Sequence, residues 1–450
     1  MRLTVDSVRP CLEGGIPGVM ATASAEGEPN VAYLSQVEYV DARHVALSFQ
    51  FFNKTRRNVL ANPLVELLVV HPVTAAMYRL RARYLRTESE GPLFERMKAK
   101  LAGVASHVGM AEVFRLRGSD VYEVLVVEQV GAPTLPEPPP GLNRLAALRR
   151  TLQALMPLQT LDALFDGLLD ALRHEFAIDH AMVLMHEGER QCLATVASRG
   201  YGASGVGAEI PMGQGVIGVA ARARTPIRIG HLTQDRAYNQ TIREALVREG
   251  GQPLEGEIPW PGLAQPHSQL AVPICDGGEL LGVLFVESTQ DQRFTSDDED
   301  ALLALAAHVG ALQRHLQSRA DEPEAAEPAV AAAGPPLRHE PLGEPLRVRH
   351  FAADGSVFLD DQYLIRGLAG AILWLLLQTH VQEGRTEFSN RELRLAPSLR
   401  LPEVGDNLEA RLLMLTRRLE ERCDGLRLVR TGRGRFRLCV LRPLSLAQQA

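Results

Sequence analysis

The chain has 450 residues, 48 Lys+Arg against 54 Asp+Glu, a formal charge of −6 and 46% hydrophobic content. That length exceeds a single domain and fits two to four. The near-balanced charge excludes wholesale attraction to nucleic acid or membranes, while leaving room for domains of opposite sign. The five cysteines (Cys11, Cys192, Cys275, Cys423, Cys439) form no CxxC and no Cys/His pair at zinc-ligand spacing. Such a scattered, odd set suits a reducing compartment better than a disulfide framework. No apolar run approaches the roughly 20 residues of a membrane span. The N-terminus also lacks a signal-peptide core, so a cytoplasmic protein is expected.

Residues 1–130 alternate short strands with turns. A hairpin is expected at Glu26-Gly27-Glu28, with strands at Val31–Tyr39 and His44–Phe49. The stretch NKTRRNVLANP then gives a basic turn and a short helix stopped by Asn62-Pro63. A lysine, a hydroxyl and backbone N–H groups at a helix start favour a phosphate dianion. Taken alone, the same turn reads as a surface turn with a helix N-cap. Tyr78–Glu88 and Val121–Val130 read as strands, and Leu93–Leu101 as a helix.

This order, with KTRRN at its centre, resembles the FMN-binding split barrel of the pyridoxamine 5'-phosphate oxidase family. The resemblance implies FMN as cofactor. It implies Lys54, Thr55 and Asn58 at the flavin phosphate, and Ser35 and Gln36 on the strand lining the flavin. It also implies pairing of barrels, with the flavin at the dimer interface. The chain departs from the oxidase in lacking an arginine on the first flavin-lining strand and the C-terminal Arg-x-His motif. A redox sensor or degenerate relative is therefore expected rather than the vitamin-B6 oxidase.

Residues 131–141, GAPTLPEPPPG, form a stiff proline-rich spacer. Leu142, Leu145, Leu148, Leu152 and Leu155 then share a helix face, as do Leu302, Leu305, Val309, Leu312 and Leu316 further on. Each stripe either packs on its own sheet or, as a heptad-like seam, joins two copies; a homodimer is expected. Between the stripes, EIPMGQGVIGVAARARTPIRI gives a strand end, a glycine corner and a short helix. SQLAVPICDGGELLGVLFVES gives a hairpin turning at Asp276-Gly277-Gly278. FTSDDED opens the exit helix.

That order over residues 142–318 resembles the GAF domain, a small-molecule and redox sensor. The resemblance implies a ligand between the sheet and the segment Val216–Pro266. Gly215, Tyr238, Asn239, Trp260 and His267 are the candidate ligand residues, and His231–Ser268 is a candidate lid. GQGVIG is no phosphate fingerprint, since neither a P-loop lysine nor a strand–GxGxxG–helix context accompanies it. Phe294, Asp298 and Glu299 match half of the cyclic-nucleotide pattern. Glu287 and Ser288 stand where its Asn-Lys pair belongs, which argues against that ligand. Asp298 and Glu299 otherwise read as acidic helix-start chemistry. Cys192 and Cys275 read as buried structural thiols.

Residues 319–345 form an Ala/Glu/Pro-rich tether. Over 346–442 a strand pair, three helices and a basic hairpin, RLVRTGRGRFRL, resemble the winged-helix domain of bacterial response regulators. The resemblance implies duplex DNA as partner, with Glu409, Arg411, Arg417 and Arg418 on the groove-entering helix. It places Arg430, Arg433 and Arg435 on the wing. Leu408, Leu412, Leu415 and Leu419 take the core face, and Ser389 with Glu392 forms a capping box. Leu413 and Met414 are apolar where that family shows polar groups, which suits a protein interface as readily as a groove.

The fold class expected is a multidomain α+β protein: split barrel, GAF-type antiparallel sheet with helices, and C-terminal winged helix. Its expected function is a signal or redox sensor regulating a DNA-binding output. The alternatives are an FMN-dependent oxidoreductase with regulatory domains and a protein-docking scaffold. No catalytic residue and no metal ligand is assigned.

Overall fold

The computed structural model describes residues 3–12, 16–34, 36–49, 54–107, 116–136, 141–188, 190–230, 258–321, 344–399 and 407–449. Ser35, Tyr238, Asn239 and most of the expected lid lie outside them.

The first domain opens with a 3-10 helix, Asp6–Leu12, and builds seven strands. They are β1 (Gly18–Ala23), β2 (Pro29–Leu34), β3 (Val37–Tyr39), β4 (His44–Phe49), β5 (Leu64–Val70), β6 (Met77–Glu88) and β7 (Gly118–Gly131). They pair in the order β2-β1-β5-β6-β7-β4-β3. Alternate positions of β5 are buried, so Val65, Leu67 and Val69 meet Val5, Val8 and Leu80 inside. Helix α1 (Lys54–Ala61) follows β4, and α2 (Pro92–His107) follows β6.

The middle domain runs α3 (Arg144–Leu155), α4 (Leu161–Phe176), β8 (His180–Glu187), β9 (Cys192–Arg199), β10 (Glu209–Pro211), α5 (Gly215–Ala223), β11 (Ile227–Ile229), β12 (Ser268–Asp276), β13 (Glu279–Ser288) and α6 (Ser296–Asp321). Its antiparallel sheet has the order β10-β9-β8-β13-β12-β11. Helices cover both faces, which is why β13 is buried at successive residues rather than at alternate ones. Leu281, Leu284 and Val286 face α4 and α6. Val283 and Phe285 face α5. The glycine corner is steric: a Cβ on Gly218 would stand 2.4 Å from the Pro211 carbonyl oxygen. Leu302, Leu305 and Val309 are fully buried in this domain's core. These three residues of the stripe thus pack on their own domain's sheet, one of the two readings of its spacing.

The last domain comprises β14 (Leu346–Phe351), β15 (Ser356–Leu359), β16 (Gln362–Ile365), α7 (Gly367–Glu383), β17 (Glu387–Ser389), α8 (Asn390–Leu395), α9 (Leu408–Arg422), β18 (Leu426–Gly432), β19 (Arg435–Val440) and β20 (Leu444–Gln449). One sheet is β16-β15-β14-β20, with β20 parallel to β14; the other is β17-β19-β18. The Ser389 hydroxyl accepts from Glu392 N–H while the Glu392 carboxylate accepts from Ser389 N–H, closing the capping box on α8.

The three domains pack on one another. Ala99 of α2 enters the middle domain's α5-side core. Leu412, Leu413 and Met414 of α9 join the core that contains Ala194 and Val196 of β9. Among the described residues no helix is long and apolar enough to cross a membrane.

Candidate functional site

Three places gather chemistry. The first is the start of α1. Lys54 and Thr55 open the helix beside β1 and β2, and Thr55 Oγ1 accepts from Asn30 Nδ2 at 3.0 Å. Asn58 is buried and donates to Thr22 Oγ1 at 3.2 Å. Lys54, Thr55 and Asn58 therefore do share one corner, with Asn30 and Thr22 as members that the sequence did not suggest. An ammonium, a hydroxyl, a carboxamide and the first-turn N–H groups fit a phosphate monoester. Glu28, 3.7 Å from Lys54 Nζ, is the anion that a phosphate would displace. Arg56 of the same turn points elsewhere. It pairs with Asp120, donates to Thr87 Oγ1 at 2.8 Å, and stacks on Phe49 and Tyr84. Gln36 is buried and donates to Glu38 at 3.3 Å. Glu38 in turn holds Arg96 and Lys100 of α2 at 3.0 and 2.8 Å.

The second place is the α5-side face of the middle sheet. Glu287 is only 2% exposed. It accepts from Leu263 N–H at 2.7 Å and from Gln269 Nε2 at 3.1 Å. Burial pushes its carboxyl above the usual carboxylate range, against those bonds, the neighbouring Tyr201 and the charge of His180. Trp260 lies over Phe285 at 6.0 Å, and Tyr201 over His180 at 5.5 Å. Of the expected ligand residues, Trp260 lies on this face. His267 lies at the hairpin's far end, its N–H on Ser288 O and its ring 3.4 Å from Asp291. Gly215 starts α5 with φ +60°. Glu287, Gln269 and Tyr201 were missed as a group.

Cys192 is buried, and desolvation lifts its thiol to about 11; Arg190 opposes this but is itself paired with Glu209. Cys275 is likewise pushed up by burial. Neither thiol has the electropositive setting of a reactive cysteine. Among the described residues no cluster of His, Cys, Asp and Glu could hold a metal ion.

The third place is α6, whose first turn reaches toward two domains and whose last turns meet the third. Asp298 accepts from Thr295 N–H at 2.9 Å and takes Arg144 of α3 at 2.6 and 3.0 Å. Glu299 takes Arg228 of β11 at 2.7 Å. Asp300 takes Arg9 of the first domain at 2.5 and 3.1 Å. At the far end Gln317 donates to Asn407, the residue before α9, at 2.8 Å.

Helix α9 departs most from expectation. Arg411 is 5% exposed and grips Glu187 of β8 through Nε (3.1 Å) and Nη2 (2.8 Å). Arg417 holds Asp162 and Asp166 of α4 at 2.5 and 2.9 Å. Arg418 is buried, donating to Leu364 O at 3.0 Å within its own domain. Glu409 is buried between Asn390 and Arg430. The residues expected to face DNA on this helix instead face the middle domain or their own core. The reason lies in Leu412, Leu413 and Met414, whose apolar surface is covered by that packing. On the hairpin, Arg430 and Arg435 are exposed and Arg433 is half-buried.

Residues 160–312 match the family model of the GAF domain, and residues 4–127 that of pyridoxamine 5'-phosphate oxidase. The chain carries both domains. A search of curated proteins finds no match. Among solved structures, the GAF domain of an Acinetobacter phosphoenolpyruvate-protein phosphotransferase is 19% identical with TM-score 0.32, covering 39% of this chain and 95% of that one. The free methionine-R-sulfoxide reductase of Neisseria meningitidis is 16% identical with TM-score 0.31, covering 39% and 90%. An FMN-binding protein from Syntrophomonas wolfei is 17% identical with TM-score 0.25, covering 28% and 86%.

Proposed function

We propose that the protein is a sensor-regulator. The oxidase-type barrel anchors FMN by its phosphate at Lys54, Thr55, Asn30 and Asn58. The GAF domain takes a small molecule on the face bearing Glu287 and Trp260, and the C-terminal domain is a winged-helix output acting on DNA. The observation that carries this reading is the span of α6. Its first turn holds Arg228 of the GAF sheet and Arg9 of the barrel, and its last turns hold Asn407 beside α9. An oxidase reading uses the barrel alone and gives those contacts no role. A bound flavin supplies a reversible redox couple. The chain's own part is to hold its phosphate, through charge and helix-start donors.

A ligand can shift the output only by binding two arrangements of these domains with different affinity. The test is to titrate FMN into the full-length protein and follow flavin fluorescence, then amide exchange along α6 and α9. Saturable binding, weakened at least tenfold in Lys54→Glu, with altered exchange in either helix is expected. Absence of FMN binding removes the flavin from the reading. Binding with unchanged exchange in both helices removes its regulatory role.

A further inference from the structure

We propose that the GAF domain masks α9: Glu187, Asp162 and Asp166 occupy arginines that would otherwise hold the phosphate backbone of duplex nucleic acid. The arrangement described here is then a closed state. This rests on the reading of the C-terminal domain as a DNA-binding output and adds how that output is held off.

Charge and shape both point this way. The forked contact of Arg411 with Glu187 is the geometry by which a guanidinium takes a carboxylate or a phosphate. Arg417 is divided between two carboxylates of α4 and the Val196 carbonyl oxygen, at 3.1 Å. A second basic–acidic contact lies beside them, where Arg366, just before α7, donates to Glu209 of β10 at 2.6 Å. Every one of these carboxylates belongs to the GAF domain, and each of these arginines to the C-terminal domain. The GAF surface thus presents to α9 the charge that a nucleic-acid backbone would present.

The same interface keeps polar groups that a permanent core discards. Asn407 donates to His186 O at 3.2 Å and accepts from Gln317. Gln317 is itself buried on α6. Buried amides and ion pairs of this kind cost desolvation in the closed form and recover water on opening. That narrows the free-energy gap between the two states. The hairpin is not enclosed: Arg427, Arg430 and Arg435 are exposed. The closed protein therefore keeps a weak, salt-sensitive grip on duplex DNA, and opening adds the contacts of Arg411 and Arg417.

The test compares the full-length parent with Asp162→Lys/Asp166→Lys and, separately, Glu187→Gln. Readouts are amide exchange in α9 and anisotropy of a labelled duplex across a salt series. Opening is expected to speed exchange in α9 and raise duplex affinity at least tenfold. The salt dependence should steepen by about two counter-ions, one per arginine freed. The swap Arg417→Glu/Asp162→Lys/Asp166→Lys should restore the protection of α9, which separates lost attraction from lost folding. Unchanged exchange in both opening variants, with circular dichroism intact, overturns the latch. So does a parent that binds duplex as tightly as the variants. Faster exchange without any gain in duplex binding leaves the latch and overturns the DNA-binding reading on which the partner rests.

Discussion

The GAF domain is held on both sides by arginine–carboxylate pairs, but the two junctions are wired in opposite senses. Toward the barrel, Asp298, Glu299 and Asp300 are successive residues on one helical turn. Asp298 and Glu299 take Arg144 and Arg228 of the GAF domain itself, and Asp300 takes Arg9 of the barrel. Toward the C-terminal domain the arginines share one helix, and the carboxylates come from β8 and α4. Carboxylates in the first turn of a helix are favoured by its dipole whatever partner they meet. Arg411, in the first turn of α9 after Asn407, has the dipole against it and leans on Glu187. The barrel junction is thus supported by the helix that carries it. The C-terminal junction depends on its partner, as a separable contact must.

The largest expected effect lies on the dependent side. Arg411→Met leaves Glu187 buried without its cation, at a cost of about 3–5 kcal/mol. Replacing both partners, Arg411→Met with Glu187→Leu, should return close to the parent, because an apolar pair needs no desolvation. Urea unfolding followed by tryptophan fluorescence checks both. A double variant as unstable as the single one would show that the pair is not what holds α9.

Arg228→Met cuts the same turn of α6 inside the GAF domain, at Glu299, where Lys100 and Arg96 of the barrel also bear. Burial pushes Glu299 up, but the charges of Arg228, Lys100 and Arg96 and the Arg228 hydrogen bond together hold it below the usual range. With Lys100 and Arg96 still bearing on Glu299, the loss should fall at the low end, about 3 kcal/mol. A loss exceeding that of Arg411→Met by the same measurement would reverse the ranking of the α6 turn and the α9 junction.

What the sequence disclosed follows the same division. Turn residues disclosed the sheet-forming hairpin, periodicity the leucine face of α9, and the Ser389–Glu392 spacing the capping box, because those depend on neighbours a few residues away. The α6 turn was legible only as a helix start, since Arg9, Arg144 and Arg228 are brought to it by tertiary packing. Glu287 could have been found: it shares strand parity with Val283 and Phe285, so it had to face the α5 side of the sheet. The arginines of α9 were assigned to a groove because the winged-helix resemblance implies a groove-entering third helix. Leu413 and Met414 were the signal that this face is covered, and their partner lies more than two hundred residues away.

Acid tests the α6 turn by a different route. Burial raises the Asp298 carboxyl, but the Arg144 hydrogen bond, the Thr295 N–H and the charges of Arg144 and Arg293 outweigh it and hold it below its ordinary 3.8. A depressed carboxyl contributes fully above its unfolded value and loses that contribution as pH falls through its folded value. Asp298→Asn should cost about 1.5 kcal/mol at pH 7, in line with hydrogen bonds to charged groups. The difference from the parent should shrink steadily below pH 3.8. A difference that stays constant down the acid limb would mean that Asp298 acts by shape and not by charge.

The smallest effect is expected where the barrel reaches across. Asp300 is more than half exposed, so its bidentate pair with Arg9 works in solvent, despite good geometry. Arg9→Ala should cost no more than about 1 kcal/mol, and the difference should vanish at 1 M salt. Arg9 also lies 4.5 Å from the Tyr39 ring, and Arg9→Lys, which keeps the charge and loses the fork, should fall between parent and alanine. A loss of several kcal/mol, insensitive to salt, would make this clamp the main tie between barrel and GAF domain. The barrel junction would then depend on a partner as much as α9 does, and the contrast in wiring would no longer distinguish a fixed junction from a separable one.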